Sequence, residues 1–297
     1  MSSWNKVLED VQSAAPVLDS ARQKALLDLA GYRGRNVVCY YSGWLQDASG
    51  SAGVSITDDD MNGLMNAFYG LNRDKGLDLV LHTPGGDLAA AEAIVKYVRD
   101  CFGKDVVAIV PQMAMSAGTM IACSCREVIM GRQSSLGPTD PQLGGIPAGG
   151  VIEEFDRAVE QVSENPASAA LWGQIIGKYH PTFLGDCQKA VEMSRGIVRD
   201  WLATNMFDGD GDAEEKIASV VDLLCEHKNS AMHNRHFSHE DLAERGLKVV
   251  MLEDDNDLQD LVLTLHHTYM ISFQKTSAVK VIESSGGGRG IASGPTA

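Results

Sequence analysis

Leu77-Asp78-Leu79-Val80-Leu81-His82-Thr83-Pro84-Gly85-Gly86-Asp87 and Val106-Val107-Ala108-Ile109-Val110-Pro111-Gln112-Met113-Ala114-Met115-Ser116-Ala117-Gly118 share one plan. Each begins with a short, β-branched, unbroken apolar run, the pattern of a parallel strand buried on both faces. A tight turn rich in small residues follows. Helical spacing then takes over: Leu88 to Asp100 repeats Ala, Ile and Val, and Ala117 to Cys123 is small and apolar. Strand, turn and helix, twice over, predict a βαβ unit with a right-handed crossover. In such sheets the sites lie in the turns at the carboxyl ends of the strands.

The residues in those turns suit acyl transfer. Pro84-Gly85-Gly86 frees the backbone to aim N–H groups into a cavity. Ser116 stands between small residues at a helix start, where the next N–H groups lack intrahelical partners. A nucleophile and two sources of oxyanion donors thus converge, with Gly85, Gly86 and Ala117 as the candidate donors. The same pattern also fits two plain strand-to-helix turns with Ser116 as an N-cap, and the turns alone leave both readings open.

His82-Thr83-Pro84-Gly85-Gly86, Ala114-Met115-Ser116-Ala117-Gly118-Thr119 and Leu136-Gly137-Pro138-Thr139-Asp140-Pro141-Gln142 occur in that order. Together they resemble the serine dehydrogenase proteinase family, a relative of the Clp protease proteolytic subunit and of signal peptide peptidase A. The similarity runs from about Gln23 to Met251. It implies an α/β, ClpP/crotonase-like fold with a helical insertion, acting on a peptide or protein substrate. The implied divisions are an N-terminal helical segment (1–32), a core (33–150), the insertion (151–228), a C-terminal part of the core with a terminal helix (229–283) and a flexible tail (284–297). It further implies a triad in the order Ser, Asp, His. Ser116 would be the nucleophile, Asp140 the orienting carboxylate and His233 the base, with Gly246-Leu247-Lys248-Val249 setting the register. Residues Asn234 to Phe237 depart from the family's aspartate-aromatic-proline run, so His236 is kept as the reserve base.

Asp140 also has a rationale of its own. Proline on either side of Thr139-Asp140 restricts the backbone and fixes where the carboxylate points. An Asx-turn is the competing use of such a sequence. A Ser-Lys dyad is disfavoured, because no lysine follows Ser116 before Lys178. Two other readings of the chain remain: an inactive scaffold on the same fold, and a crotonase-type acyl-CoA enzyme that would use carboxylates and not a serine.

Composition narrows the partners. The 297 residues carry 40 acidic against 25 basic groups, a formal charge of −15 that repels phosphate backbones and anionic lipid. No apolar run approaches the roughly 20 residues of a membrane span. The amino terminus, Met1-Ser2-Ser3-Trp4-Asn5-Lys6, lacks the plan of a signal peptide. Six cysteines without CxxC spacing suit reduced thiols and a cytoplasmic protein. No cofactor is expected, since no GxxxxGK[ST] phosphate loop occurs. No metal is expected either. Asp208-Gly209-Asp210-Gly211-Asp212 lacks the closing Glu of a calcium loop, and His233, His236 and His239 are spaced poorly for one helix face.

Elsewhere the chain predicts a helix over Val11 to Gly31, a first strand at Asn36 to Ser42 and a surface loop over Gln46 to Ile56. A last short strand is predicted at Lys248 to Leu252, with no ordered structure from Ser284 onward. His82 is expected to brace its turn through hydrogen bonds, and His266 to lie at a polar helix edge. The amphipathic helix Leu258 to Phe273 presents Leu261, Leu265, Tyr269 and Phe273. Its stripe is expected to pack on a second copy in a homo-oligomer, dimer or higher, or else on its own sheet.

Overall fold

A computed structural model describes residues 15–46, 52–225 and 235–294. In chain order its strands are β1 (Asn36–Ser42), β2 (Leu77–His82), β3 (Val106–Val110), β4 (Met113–Ala114), β5 (Glu127–Met130), β6 (Ser135–Leu136), β7 (Gln142–Leu143), β8 (Ile146–Pro147), β9 (Val249–Met251), β10 (Ala278–Ser284) and β11 (Arg289–Ser293). The main helices are α1 (Ala15–Arg33), α2 (Asp60–Phe68), α3 (Leu88–Phe102), α4 (Ala117–Cys123), α5 (Ala148–Glu164), α6 (Ala169–Ile176), α7 (Phe183–Trp201), α8 (Ala213–Cys225), α9 (His239–Glu244) and α10 (Asn256–Lys275).

Seven strands form the central sheet in the order β11-β10-β1-β2-β3-β5-β9. The run from β1 to β9 is parallel, and β10 and β11 add antiparallel at one edge. Strand pleating sends alternate residues to opposite faces, and both faces are dry. Val38, Tyr40, Leu79, Leu81, Ala108 and Val110 meet α2, α3, α4 and the later helices. Val37, Cys39, Tyr41, Val80, Val107 and Ile109 meet α1 and α10. This two-sided burial is why the strands read as unbroken apolar runs. One exception is Asp78, fully buried in β2, whose carboxylate accepts from Arg33 Nε and Arg35 Nε at 2.6 Å each. The basic turn before β1 therefore neutralises a charge inside the sheet. All six cysteines are free and buried.

The carboxyl end departs from expectation. Residues 278–293 are a β-hairpin that completes the sheet, although Gly and Ser dominate the sequence from Ser284 onward. β10 pairs with β1 and buries Val281 and Ile282, whereas β11 is held by backbone pairing with β10 and by close approach of Gly290 to Gly63 of α2, neither of which needs apolar side chains. Helix α10 folds back on its own sheet: Leu265 and Tyr269 are fully buried, and the Tyr41 and Tyr269 rings stack at 3.9 Å. Its stripe therefore gives no reason to invoke a second copy. Between 151 and 225 the side chains divide between two clusters. The first half of α7 joins α5 in a small satellite cluster around Val151 and Cys187, whereas Val198, Trp201 and α8 enter the main core.

His82 and His266 are also placed differently. His82 packs among the rings of Tyr41, Trp44 and His266, and His266 is buried beneath β1. Burial holds the His266 imidazole at about 3, with the neighbouring His267 adding to the effect. Burial likewise pushes His82 well down, reinforced by His266. Both rings are thus neutral in the fold and protonate first in the unfolded chain. Below the unfolded value of about 6.5 the unfolded state binds more protons, so stability falls as pH drops from there toward the folded values. The expected slope is roughly 1.4 kcal/mol per pH unit for each histidine. Urea unfolding of the parent and of His266→Phe at pH 7 and pH 5 measures it. The variant should show the shallower loss, and equal slopes would count against this assignment.

Candidate active site

The parallel strands do not stop at their turns. Thr83 continues from β2 to pair with Ala114 of β4, β4 pairs in parallel with β6, and Leu136 of β6 pairs with Phe237. This small ribbon lies beyond the carboxyl ends of the main strands and aligns three chain segments side by side. Ser116 lies two residues beyond Ala114, Asp140 lies four residues beyond Leu136, and Phe237 opens the approach to α9.

Ser116 has φ 52° and ψ −119°, the sole positive φ outside glycine among the described residues. Such a backbone costs on the order of 1–3 kcal/mol and persists only where the surroundings impose it. Here they do. Met115 N–H donates to Thr83 O at 3.0 Å on one side, and on the other Met120 N–H reaches back to Ser116 O at 3.1 Å. Only Met115 and Ser116 separate β4 from α4, and of the two Ser116 alone takes a positive φ. Its side chain caps no N–H of the helix, which removes the plain N-cap role and leaves the hydroxyl half-exposed on a cavity wall.

The glycines facing it are there for space. A Cβ on Gly85 would lie 2.7 Å from Ser116 Cβ and 2.6 Å from Met115 O. A Cβ on Gly86 would meet the Ile56 backbone at 2.4 Å. Ile56, expected in a surface loop, is fully buried and pairs with Gly86. Ile56 N–H donates to Gly85 O at 2.8 Å, and Asp87 N–H donates to Ile56 O at 2.9 Å. Pleating therefore turns the N–H of Gly86 to the opposite edge. Gly85 N–H donates to Thr83 Oγ1 at 3.1 Å and is already engaged. The N–H groups of Gly86 and Ala117 meet no acceptor among the described residues.

Asp140 shares the cavity, of about 440 Å³, with Ser116, Gly86 and Ala117. It is 1% exposed, and the segment bearing it is tied down at Gly137 and Thr139. Gly137 N–H donates to Thr119 Oγ1 at 2.9 Å, and that hydroxyl donates to Ala114 O at 2.7 Å, so one threonine links the Ser116 and Asp140 segments. Thr139 N–H donates to Leu224 O at 2.8 Å. Ser194 Oγ on α7 donates to Thr139 O at 2.7 Å. These three anchors, two hydroxyls and one backbone carbonyl, come from elements far apart in the chain, and no local spacing marks them.

His233 lies outside the described residues. Its neighbours in sequence are informative nonetheless. Cys225 Sγ is 3.1 Å from Thr139 Oγ1, and Phe237 exchanges both backbone bonds with Leu136. Both flanks are therefore anchored to the segment that carries Asp140. His236 is exposed, with Nδ1 2.9 Å from Ser135 Oγ, and does not line the cavity. Among the described residues no lysine lines it either, and no cluster of three or more metal-ligating side chains occurs.

A model of the ClpP-like SDH-type serine proteinases matches residues 11–284. An uncharacterized protein of Methanocaldococcus jannaschii is 30% identical over 257 residues, 85% of this chain and 79% of its own. Another from the same organism is 38% identical over 109 residues, 37% of each chain. Among solved structures, a mutant of the 1510-N membrane-bound stomatin-specific protease matches 70% of this chain and 79% of its own, at 16% identity and a TM-score of 0.39. Among the described residues here, no helix is long and apolar enough to cross a membrane.

Proposed function

Because the chain belongs to the ClpP-like SDH-type serine proteinases, we propose that it hydrolyses peptide bonds at Ser116, with Asp140 orienting His233 as the base. One observation carries this reading: the strained Ser116 and the buried Asp140 line a single cavity. The strain holds the hydroxyl out of the helix that follows, where a substrate carbonyl can reach it.

In the first half-reaction Ser116 Oγ attacks the scissile carbonyl carbon and its proton passes to His233. The carbonyl oxygen takes the negative charge, and the N–H groups of Gly86 and Ala117 stabilise it. His233 then gives the proton to the leaving amine, the C–N bond breaks and an acyl-serine remains. Water repeats the sequence with His233 again as base and releases the acid. Asp140 keeps its charge throughout, holding the imidazole in one tautomer and stabilising the imidazolium. The acyl-CoA alternative has no use for a strained hydroxyl between two free N–H groups. An inactive scaffold has no reason to keep one.

The test is labelling with a fluorophosphonate, which reacts with an activated serine, alongside turnover of a peptide mixture. The parent should label at Ser116. His233→Ala should lose labelling and turnover together, whereas His236→Ala should keep most of both. The opposite pattern would move the base to His236, and a parent that never labels would reject the peptidase reading.

A further inference from the structure

Beneath the cavity lies a buried charge cluster that the reaction above does not use. Lys280 of β10 and Asp60 at the start of α2 are 4% and 5% exposed. Lys280 Nζ donates to Asp60 Oδ1 at 2.7 Å and to Ser55 O at 2.6 Å. Asp60 Oδ2 accepts from Tyr40 OH at 2.6 Å and from Thr57 N–H at 2.9 Å. The cluster thus grips the chain on both sides of Ile56. Ile56 in turn holds Gly85 O and Asp87 N–H, the two peptide groups that bracket Gly86, and Ser55 itself lines the cavity.

We propose that Lys280 and Asp60 are positioning residues for the oxyanion hole: they fix the Ser55–Thr57 segment, which fixes the peptide of Gly86 and so the aim of its N–H. The proposal rests on the peptidase reading. An ion pair is a costly way to fill this space, because buried charges gain little net stability over apolar side chains of similar size. It does supply what apolar residues lack, a donor for Ser55 O and an acceptor for Thr57 N–H. An oxyanion donor must sit within tenths of an ångström of its place, so an apolar filling would leave the hole poorly aimed. The device also gives the carboxyl-terminal hairpin a role in catalysis, since β10 delivers the lysine from an edge of the sheet far from the nucleophile in sequence.

The test uses the double variant Asp60→Asn with Lys280→Met. Removing both charges together avoids a stranded one, so the melting temperature should stay near that of the parent. The asparagine oxygen still serves Tyr40 and Thr57, while Ser55 O loses its ammonium. We expect kcat to fall about 10- to 100-fold, below the full loss of one oxyanion donor. KM should change less than about threefold, and affinity for a peptide aldehyde should fall in step with kcat/KM. The aldehyde adduct places its oxygen in the oxyanion position, so its affinity reports the hole and not general packing. Tyr40→Phe is the milder second variant. It should lower kcat about two- to tenfold with KM unchanged, the equivalent of one net hydrogen bond. A folded double variant that keeps the parent's kcat and aldehyde affinity overturns the proposal, as does an unchanged Tyr40→Phe if the double variant fails to fold. A parent that takes no fluorophosphonate overturns the peptidase reading and this one with it. A parent and double variant that label equally fast overturn this one alone.

Discussion

Ser116→Ala is expected to abolish fluorophosphonate labelling and to reduce peptide turnover by up to about 10⁶-fold, the scale of nucleophile removal in the subtilisin triad. The fold should be untouched, because the Ser116 hydroxyl makes no cap bond to the helix and alanine fills the same space. Alanine does inherit the backbone at φ 52°, so the strain stays. Glycine would relieve it. Ser116→Gly should therefore be equally inactive but more stable than Ser116→Ala, by up to the roughly 1–3 kcal/mol such a backbone costs, less the entropy glycine loses on folding. A thermal melt of the two variants beside the parent reads both effects at once. If Ser116→Ala still cleaves peptides at the parent's rate, the nucleophile is elsewhere. If Ser116→Gly is no more stable than Ser116→Ala, the turn is not strained.

Strand and turn positions around Ser116 were legible because each rule acts locally. Val106 to Val110 must be buried on both faces to be so uniformly apolar, and the small residues around Ser116 marked a helix start while leaving a nucleophile and an N-cap equally open. The hairpin at 278–293 was not legible. Gly286, Gly287, Gly288 and Gly290 read as a linker, yet Gly288 and Gly290 allow backbone contact with α2 at Asn66 and Gly63. Composition records the missing side chain and not the neighbour that requires it. His266 was misplaced for a related reason. On a helix wheel it borders the polar face, but α10 is covered on that side by β1, and only the tertiary packing shows it. Ile56 was lost among Ser, Gly and Ala that truly predict a loop, since a single bridge to Gly86 leaves no period to detect. Asp60 begins α2. Its partners Tyr40 and Lys280 are 20 and 220 residues away. In each case the missed feature depends on a contact between distant segments.

The residue that divides the catalytic reading from a structural one is Asp140. Two explanations compete for a carboxylate between Pro138 and Pro141: a triad member, or the side chain of an Asx-turn. Asparagine separates them, because it makes the same turn and fills the same volume without the charge. The backbone at this point is held by Thr119, Leu224 and Ser194, all through Gly137 and Thr139, so the substitution should leave the segment in place. What changes is the partner offered to the imidazole. An amide that presents its NH₂ holds the ring in the wrong tautomer, and one that presents its oxygen stabilises the imidazolium less than a carboxylate does. The corresponding exchange in the trypsin triad lowers kcat about 10⁴-fold with the geometry intact. We expect a loss of the same order for Asp140→Asn, with KM within a few-fold of the parent and fluorophosphonate labelling slowed in proportion. Measuring kcat, KM and the melting temperature on one preparation decides the matter. A variant that melts like the parent and turns over within tenfold of it would return Asp140 to the turn and leave the histidine without its partner.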